Sequence, residues 1–370
     1  MARFNLAASG LTNTSTSEFP LVKADMEITG PGGYGFAPLL ERMSLHTGAP
    51  VECIVVATGA SMANYLAMSV VLDPNDEVLI ERPAYGLFAD IAAYLGVRVS
   101  YFDRSPETDF SVSVDAIEEA ITPHTKLIVL SNLHNPSGAL LSEETLLEIG
   151  RLAQRSGLRV LVDEVYLEMM FEQSLPICPS GSDCRSGSDC QSGSGAFEVG
   201  RKLSDGGENP FIVTNSLTKT YGLSGLRCGW ILAAPHLARR MWRLNDLFGV
   251  NAAHVAEQMS VAAFDRLDAV RTKARSLLTT NRALLDAFLD ANPELPCFRP
   301  IAGSVVFPRL PYGDADLFTN LLRDKYETTV VPGRFFGLPQ HFRIGIGGDT
   351  AIVRGGLERL TTALADFIAK

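Results

Sequence analysis

The sequence predicts an α/β fold: a three-layer α/β/α large domain around a mainly parallel seven-stranded sheet, joined to a smaller α+β domain. Two observations carry the large domain. Val51–Ala57, Glu77–Glu81, Val97–Phe102, Lys126–Ser131, Arg159–Asp163, Phe211–Ser216 and Cys228–Ala234 are short runs rich in Val, Ile and Leu, bounded by polar or Gly/Pro punctuation, as buried strands are. Between most of them lie helix-length segments with apolar residues at three and four spacing, and strand alternating with helix gives a parallel sheet covered on both faces. A third observation carries the smaller domain. After Pro300 the chain breaks into short strand-like pieces and one closing helix.

In order along the chain, the predicted helices of the first half are Ser61–Leu72, Tyr85–Leu95 and Ser142–Ser156. The last opens with Ser142 as cap and Glu143 and Glu144 in its first turn, where the helix dipole favours carboxylates. His254 to about Asn292 reads as one long helical stretch. Ser304–Leu310, Thr328–Val331 and His341–Gly345 then read as strands and Thr350–Ala369 as a helix. The expected division is a large domain over 27–275 and a small one over 276–370, completed by the N-terminal segment 1–26. A Gly/Ser/Cys-rich insertion at about 173–208 reads as a flexible surface excursion. Within it, Cys178, Cys184 and Cys190 recur every six residues, unlike the closely paired cysteines of a zinc site.

With 370 residues, 46% of them hydrophobic, the chain can bury a large core. A formal charge of −10 argues against nucleic acid or an anionic membrane as partner. The most apolar stretch, Cys53 to Leu72, is interrupted by Thr58, Gly59, Ser61 and Asn64, so no membrane span is expected, and nothing reads as a secretory signal. Six cysteines at this length do not make a disulfide scaffold, and a cytoplasmic setting is expected.

Ligands of open α/β sheets bind beyond the carboxyl ends of the strands. There this sequence places Thr58-Gly59-Ala60-Ser61, Arg82-Pro83-Ala84-Tyr85, Asn132-Leu133-His134-Asn135-Pro136-Ser137-Gly138, Asp163-Glu164-Val165-Tyr166 and Asn215-Ser216-Leu217-Thr218-Lys219. Singly, each has an ordinary explanation as a helix cap, a turn or a salt-bridge partner. Together they form a chemical set. A helix N-terminus with Ser61, a second hydroxyl on Ser216 and the guanidinium of Arg227 suit a phosphate. Asp163, ending a buried strand, suits a protonated ring nitrogen, and Lys219 can form a Schiff base with an aldehyde. Phosphate, pyridinium and aldehyde describe pyridoxal 5′-phosphate.

Ser216-x-x-Lys219-x-Tyr221-Gly222-x-x-Gly225-x-Arg227-x-Gly229 resembles the lysine signature of the fold-type I, class I/II aminotransferases (the aspartate aminotransferase superfamily), with Asn135-Pro136-Ser137-Gly138 and Asp163-x-x-Tyr166 preceding it in the family's order. The resemblance implies that Lys219 is the internal-aldimine lysine and later the general base and acid. It implies that Asp163 keeps the ring nitrogen protonated and that Asn135 and Tyr166 bond the phenolic oxygen. It places Tyr85 over the ring and makes Gly59, Ala60, Ser61, Ser216 and Arg227 the phosphate cup. Tyr34, in Gly33-Tyr34-Gly35, resembles the tyrosine lent to a neighbouring subunit's phosphate, which implies a homodimer with shared sites. Arg343, in His341-Phe342-Arg343-Ile344-Gly345, resembles the arginine that grips the substrate α-carboxylate, with Asn135 beside it.

The implied reaction is ping-pong transfer of an amino group from an α-amino acid to an α-keto acid. A C–S lyase, decarboxylase or amino-acid cyclase on the same scaffold is the alternative reading, because motifs do not encode the side-chain pocket. A cofactor-binding regulatory or degenerate scaffold protein is the non-enzyme alternative. Arg243, Asn245 and Asn251 are candidates for the far end of the substrate pocket. The polar stretch Phe4–Pro20, with Asn13, Thr14, Ser15 and Thr16, falls where the substrate is normally covered. His134 reads as a neighbour of the cofactor, and no metal ligand set is expected. Gly30-Pro31-Gly32-Gly33-Tyr34-Gly35 fits a dinucleotide-loop spelling without a preceding strand.

Overall fold

The computed structural model describes residues 2–12, 14, 27–31, 33–170, 195–204 and 208–368. In chain order these form β1 (Phe4–Asn5), α1 (Ala37–Thr47), β2 (Ile54–Thr58), α2 (Ala60–Val71), β3 (Glu77–Arg82), α3 (Leu87–Leu95), β4 (Arg98–Asp103), α4 (Val114–Ala120), β5 (Thr125–Ser131), α5 (Glu143–Ser156), β6 (Arg159–Asp163) and α6 (Ala196–Leu203). They continue with β7 (Phe211–Ser216), β8 (Cys228–Leu232), α7 (Pro235–Asn245), α8 (His254–Phe264), α9 (Leu267–Ala291), β9 (Val305–Val306), α10 (Ala315–Tyr326), β10 (Thr328–Thr329), β11 (Val331–Pro332), β12 (Phe342–Gly345) and α11 (Thr350–Ile368).

The large sheet has seven strands in the order β2-β8-β7-β6-β5-β3-β4. Only β8 runs against its neighbours, β2 and β7, and the other pairs are parallel. The carboxyl ends of β2, β3, β5, β6 and β7 therefore share one rim. Because β8 is reversed, its beginning lies at that same rim, which delivers Arg227 there. Strands β6, β7 and β8 are buried almost end to end, as strands of a sheet covered on both faces are. Helix α5 begins as expected, with the Ser142 hydroxyl accepting from Thr145 N at 3.1 Å.

Outside this sheet, β1 pairs in parallel with β10, and β11, β12 and β9 form an antiparallel sheet. The expected strand Ser304–Leu310 shrinks to Val305–Val306 and an isolated bridge at Arg309, because Pro308 between them has no N–H to give a ladder. The expected strand Thr328–Val331 is two pieces, since the chain changes partner at Val330, from β1 to β12. The single helix expected from His254 to Asn292 is two, α8 and α9, meeting at Asp265 and Arg266. No Gly or Pro marks that break. Asp265 instead accepts from Arg42 Nε at 2.7 Å.

The insertion is not irregular throughout. Ala196–Leu203 is helical and buries Ala196, Phe197, Val199 and Gly200, an apolar stripe that the neighbouring Gly/Ser repeat obscures. The cysteine repeat itself, and Asn13, Ser15 and Thr16, lie outside the described residues. Among the described residues no helix is long and apolar enough to cross a membrane, and no group of His, Cys, Asp and Glu could hold a metal ion.

Candidate active site

A cavity of about 440 Å³ opens at the rim where the strands end. Ala60, Ser61, Tyr85, Asn135, Asp163, Tyr166, Ser216, Lys219, Arg227 and Arg343 all line it. Residues singled out at five strand ends, in one loop and on one distant strand thus meet in one place. Gly59 stands behind Arg227, with φ at +80°, and a Cβ there would collide with the guanidinium. A Cβ on Gly229 would in turn strike the Gly59 backbone where β2 and β8 run side by side. The two glycines let an arginine, a helix N-terminus and two strands crowd together, which is how a backbone-lined anion cradle is built. Arg227 Nη2 reaches Thr58 O at 3.3 Å and Nη1 reaches Ser224 O at 3.2 Å.

Asp163 is almost wholly buried at the end of β6. Burial pushes its carboxyl above the ordinary range, against hydrogen bonds from Asn64 Nδ2 at 2.8 Å and Val165 N at 3.2 Å and the charge of Lys219. Asn64 is held in turn by Thr214 Oγ1 at 2.6 Å. A carboxylate so placed and aimed into a cavity calls for a cationic partner. The next residue, Glu164, is raised to about 8 by burial and by Glu168 and Asp163, while Ala196 N donates to it at 2.7 Å.

Asn135 sits on a loop fixed from below. Its N–H donates to Ser131 Oγ at 3.1 Å, Ser131 donates to Glu81 at 2.6 Å, and Glu81 is paired with the fully buried Arg104 at 2.8 Å. Arg343, on β12, donates from Nη1 to Asn135 Oδ1 at 2.8 Å and from Nη2 to Ala7 O at 2.9 Å. Its Nε is buried without a partner among the described residues. A guanidinium that lines the cavity and keeps one donor unused is suited to a carboxylate.

Tyr34 stands apart from this cavity. Its hydroxyl donates to Asp246 at 2.9 Å, its ring packs on Trp242, and it is 49% exposed. Arg243, Asn245 and Asn251 do not line the cavity either; Asn245 bonds Val250 O and Asn251 bonds Gly33 O. His134 is likewise absent from the lining. It is fully buried, bridging Ser137 Oγ at 2.6 Å and Pro83 O at 2.8 Å, and burial holds its pKa well below the ordinary value, so it is a neutral staple of the loop.

Sequence reasoning missed Ala7, Ala8, Ser9, Asn64, Phe88, Ser131 and Thr218, which also line the cavity. Asn64 had a signal: a polar residue one turn after Ser61 inside an apolar helix. Ala7 to Ser9 lie in the stretch Phe4–Pro20 that the family resemblance sets over the substrate, but nothing in their residue types singles them out individually.

Residues 36–360 match the family described as aminotransferase class I and II. The aspartate aminotransferase of Bacillus subtilis is 23% identical over 314 residues, 83% of this chain and 75% of that protein. Capreomycidine synthase of Streptomyces vinaceus is 26% identical over 317 residues, 85% of this chain and 75% of that one. Among solved structures, a PLP-dependent aminotransferase from Streptococcus suis superposes with a TM-score of 0.85 at 24% identity, covering 99% of this chain and 94% of the other. With the family matched across most of its length and the fold shared throughout, the chain belongs to the class I and II aminotransferases.

Proposed function

We propose that this aminotransferase uses pyridoxal 5′-phosphate to move the amino group of an α-amino acid to an α-keto acid in two half-reactions, with Lys219 as the Schiff-base lysine. The observation that carries this is one cavity holding an amine, a buried carboxylate, an anion cradle and an unpartnered guanidinium donor. These residues fit the cofactor: the cradle of Gly59, Ala60, Ser61, Ser216 and Arg227 suits its phosphate, Asp163 its ring nitrogen, Asn135 and Tyr166 its phenolic oxygen, and Tyr85 its ring face. When bound, the cofactor supplies an electron sink for the carbon that loses its proton. The protein does the rest. Arg343 with Asn135 fixes the substrate carboxylate, and Lys219 Nζ takes and returns the proton.

Two domains, 27–275 and 276–370 with 1–26, are the organisation we infer. Its support is a second buried core built from Leu6, Leu285, Phe318, Phe342, Ile344 and Leu360, apart from the core around the large sheet. We read the working form as a cytoplasmic homodimer. The exposed Leu247, Phe248 and Val250 beside Tyr34's partner Asp246 support the dimer, and the free thiols of Cys53, Cys228 and Cys297 support a reducing compartment.

A second reading is an amino-acid cyclase, since a solved structure described as a PLP-dependent cyclase shares this fold at a TM-score of 0.81. A panel of ¹⁵N-labelled amino acids supplied with a keto acid separates the two. Label appearing in the amino acid made from the keto acid is the expected result. Label retained in a cyclised product, or released as ammonia, would replace transamination with cyclisation or elimination.

A further inference from the structure

The strap from Leu6 to Thr12 lines the cavity with Ala7, Ala8 and Ser9 and is tied on both sides. Leu6 N donates to Thr329 O at 2.8 Å, Gly345 N donates to Leu6 O at 2.7 Å, and Thr12 N donates to Gly347 O at 2.9 Å. On the other flank, Leu11 N donates to the carbonyl of Lys219 itself at 2.9 Å. Gly345 and Gly347 have no side chain where the strap lies on them; a Cβ on either would collide with the carbonyls of Ala8 and Gly10. The strap is therefore registered simultaneously to the strand of Arg343 and to the loop of Lys219.

Ser9 is at its centre, 7% exposed, with its carbonyl accepting from Ser304 Oγ at 2.6 Å. Its hydroxyl accepts from Lys219 Nζ at 3.2 Å and from the Tyr166 hydroxyl at 2.7 Å. We propose that Ser9 is a positioning residue of this enzyme, whose hydroxyl holds the Lys219 amine in line with Tyr166 whenever that amine is free. The inference rests on the reading of Lys219 as the reactive amine.

The chemistry favours a hydroxyl at this point. A lysine amine rides on a flexible four-carbon stem and must be in place when the substrate proton is transferred. A serine oxygen can accept from an ammonium and can donate to a neutral amine, so it holds Nζ in both protonation states. Tyr166 donates into the same oxygen and fixes where that oxygen points. Ala7 and Ala8, the strap's other contributions to the cavity, carry no polar side-chain atom, so this duty falls to Ser9 within the strap.

The test compares parent, Ser9→Ala and Ser9→Thr. Borohydride reduction of each holoenzyme followed by peptide mapping asks first whether the cofactor is attached at Lys219; attachment elsewhere refutes the reading of Lys219 and leaves the role of Ser9 without a subject, a failure distinct from those below. Each protein is then stripped of cofactor, and the rate of Nζ acetylation at Lys219 by acetic anhydride is followed against pH. The expected result is a profile displaced from the parent's in Ser9→Ala and restored in Ser9→Thr. In the loaded enzymes kcat should fall about tenfold in Ser9→Ala with KM for the amino acid nearly unchanged, and Ser9→Thr should recover most of it. An acetylation profile identical in all three proteins overturns the proposal, as does one displaced equally in both variants.

Discussion

At the scale of single residues, the site sets two carboxylates side by side in different roles. Asp163 faces the cavity, whereas Glu164 faces Ala196 N. The pKa of Glu164 is raised in the folded chain, to about 8, so between its ordinary value of 4.5 and about 8 the native state holds a proton that the unfolded chain has lost. Stability contributed by this group is therefore present at low pH and declines as pH rises through that window. Replacing Glu164 by Gln keeps an oxygen for Ala196 N and removes the titration. The variant should gain stability over the parent progressively from about pH 5 to about pH 8, by on the order of a few kcal/mol in all, since each unit of pKa difference is worth roughly 1.4 kcal/mol. Urea melts across pH read the gain, and a difference that stays constant with pH would contradict it. Legibility at this scale followed chemistry: Lys219, Asp163 and Arg227 could be named because each residue type suits one part of one cofactor. Asn64 showed only as a polar residue in an apolar helix, and its partners Asp163 and Thr214, like the Lys219 and Tyr166 contacts of Ser9, are too distant in the chain for spacing to reveal.

At the scale of elements, the active site depends on a segment without regular structure beyond two residues of strand. The strap lies against β12 only because Gly345 offers bare backbone to the Ala8 carbonyl. Gly345→Ala should push the strap away, costing on the order of 1–3 kcal/mol of stability and weakening the Ala7–Arg343 contact. The check is a thermal melt together with KM for the amino acid, both of which should worsen; an unchanged melt and KM would show that the strap's seat is not tight. The large-sheet strands were legible to within a few residues because the inner ones are buried almost end to end and most carry a run of Val, Ile and Leu; the edge strand β4 is the exception, mostly exposed or half-buried. The short strands were legible in place, within Ser304–Leu310, Thr328–Val331 and His341–Gly345, but not all in extent. Val305–Val306 and Thr328–Thr329 are defined by their partners, β12 and β1, and two residues carry no period of their own.

At the scale of the whole molecule, Tyr34 is the residue that one chain leaves unexplained. It is half exposed, bonded to Asp246, and apart from the cavity of its own chain. A second copy resolves this if Tyr34 serves the neighbouring site. Sedimentation of the active enzyme should give twice the mass of the 370-residue chain, and a monomer with full activity would contradict the shared site. The change of pattern after Pro300 is what suggests a second domain in the sequence, whereas the register by which Phe4–Asn5 pairs with Thr328–Thr329 is a long-range pairing that local sequence does not carry. The most direct test of the whole account is the visible spectrum of the protein loaded with pyridoxal 5′-phosphate, titrated with single α-amino acids in the absence of any keto acid. The account predicts a Lys219-dependent band that one donor converts, mole for mole, to the spectrum of the amine form of the cofactor. A protein that forms no such band with the cofactor, or whose band survives every amino acid offered, would contradict it.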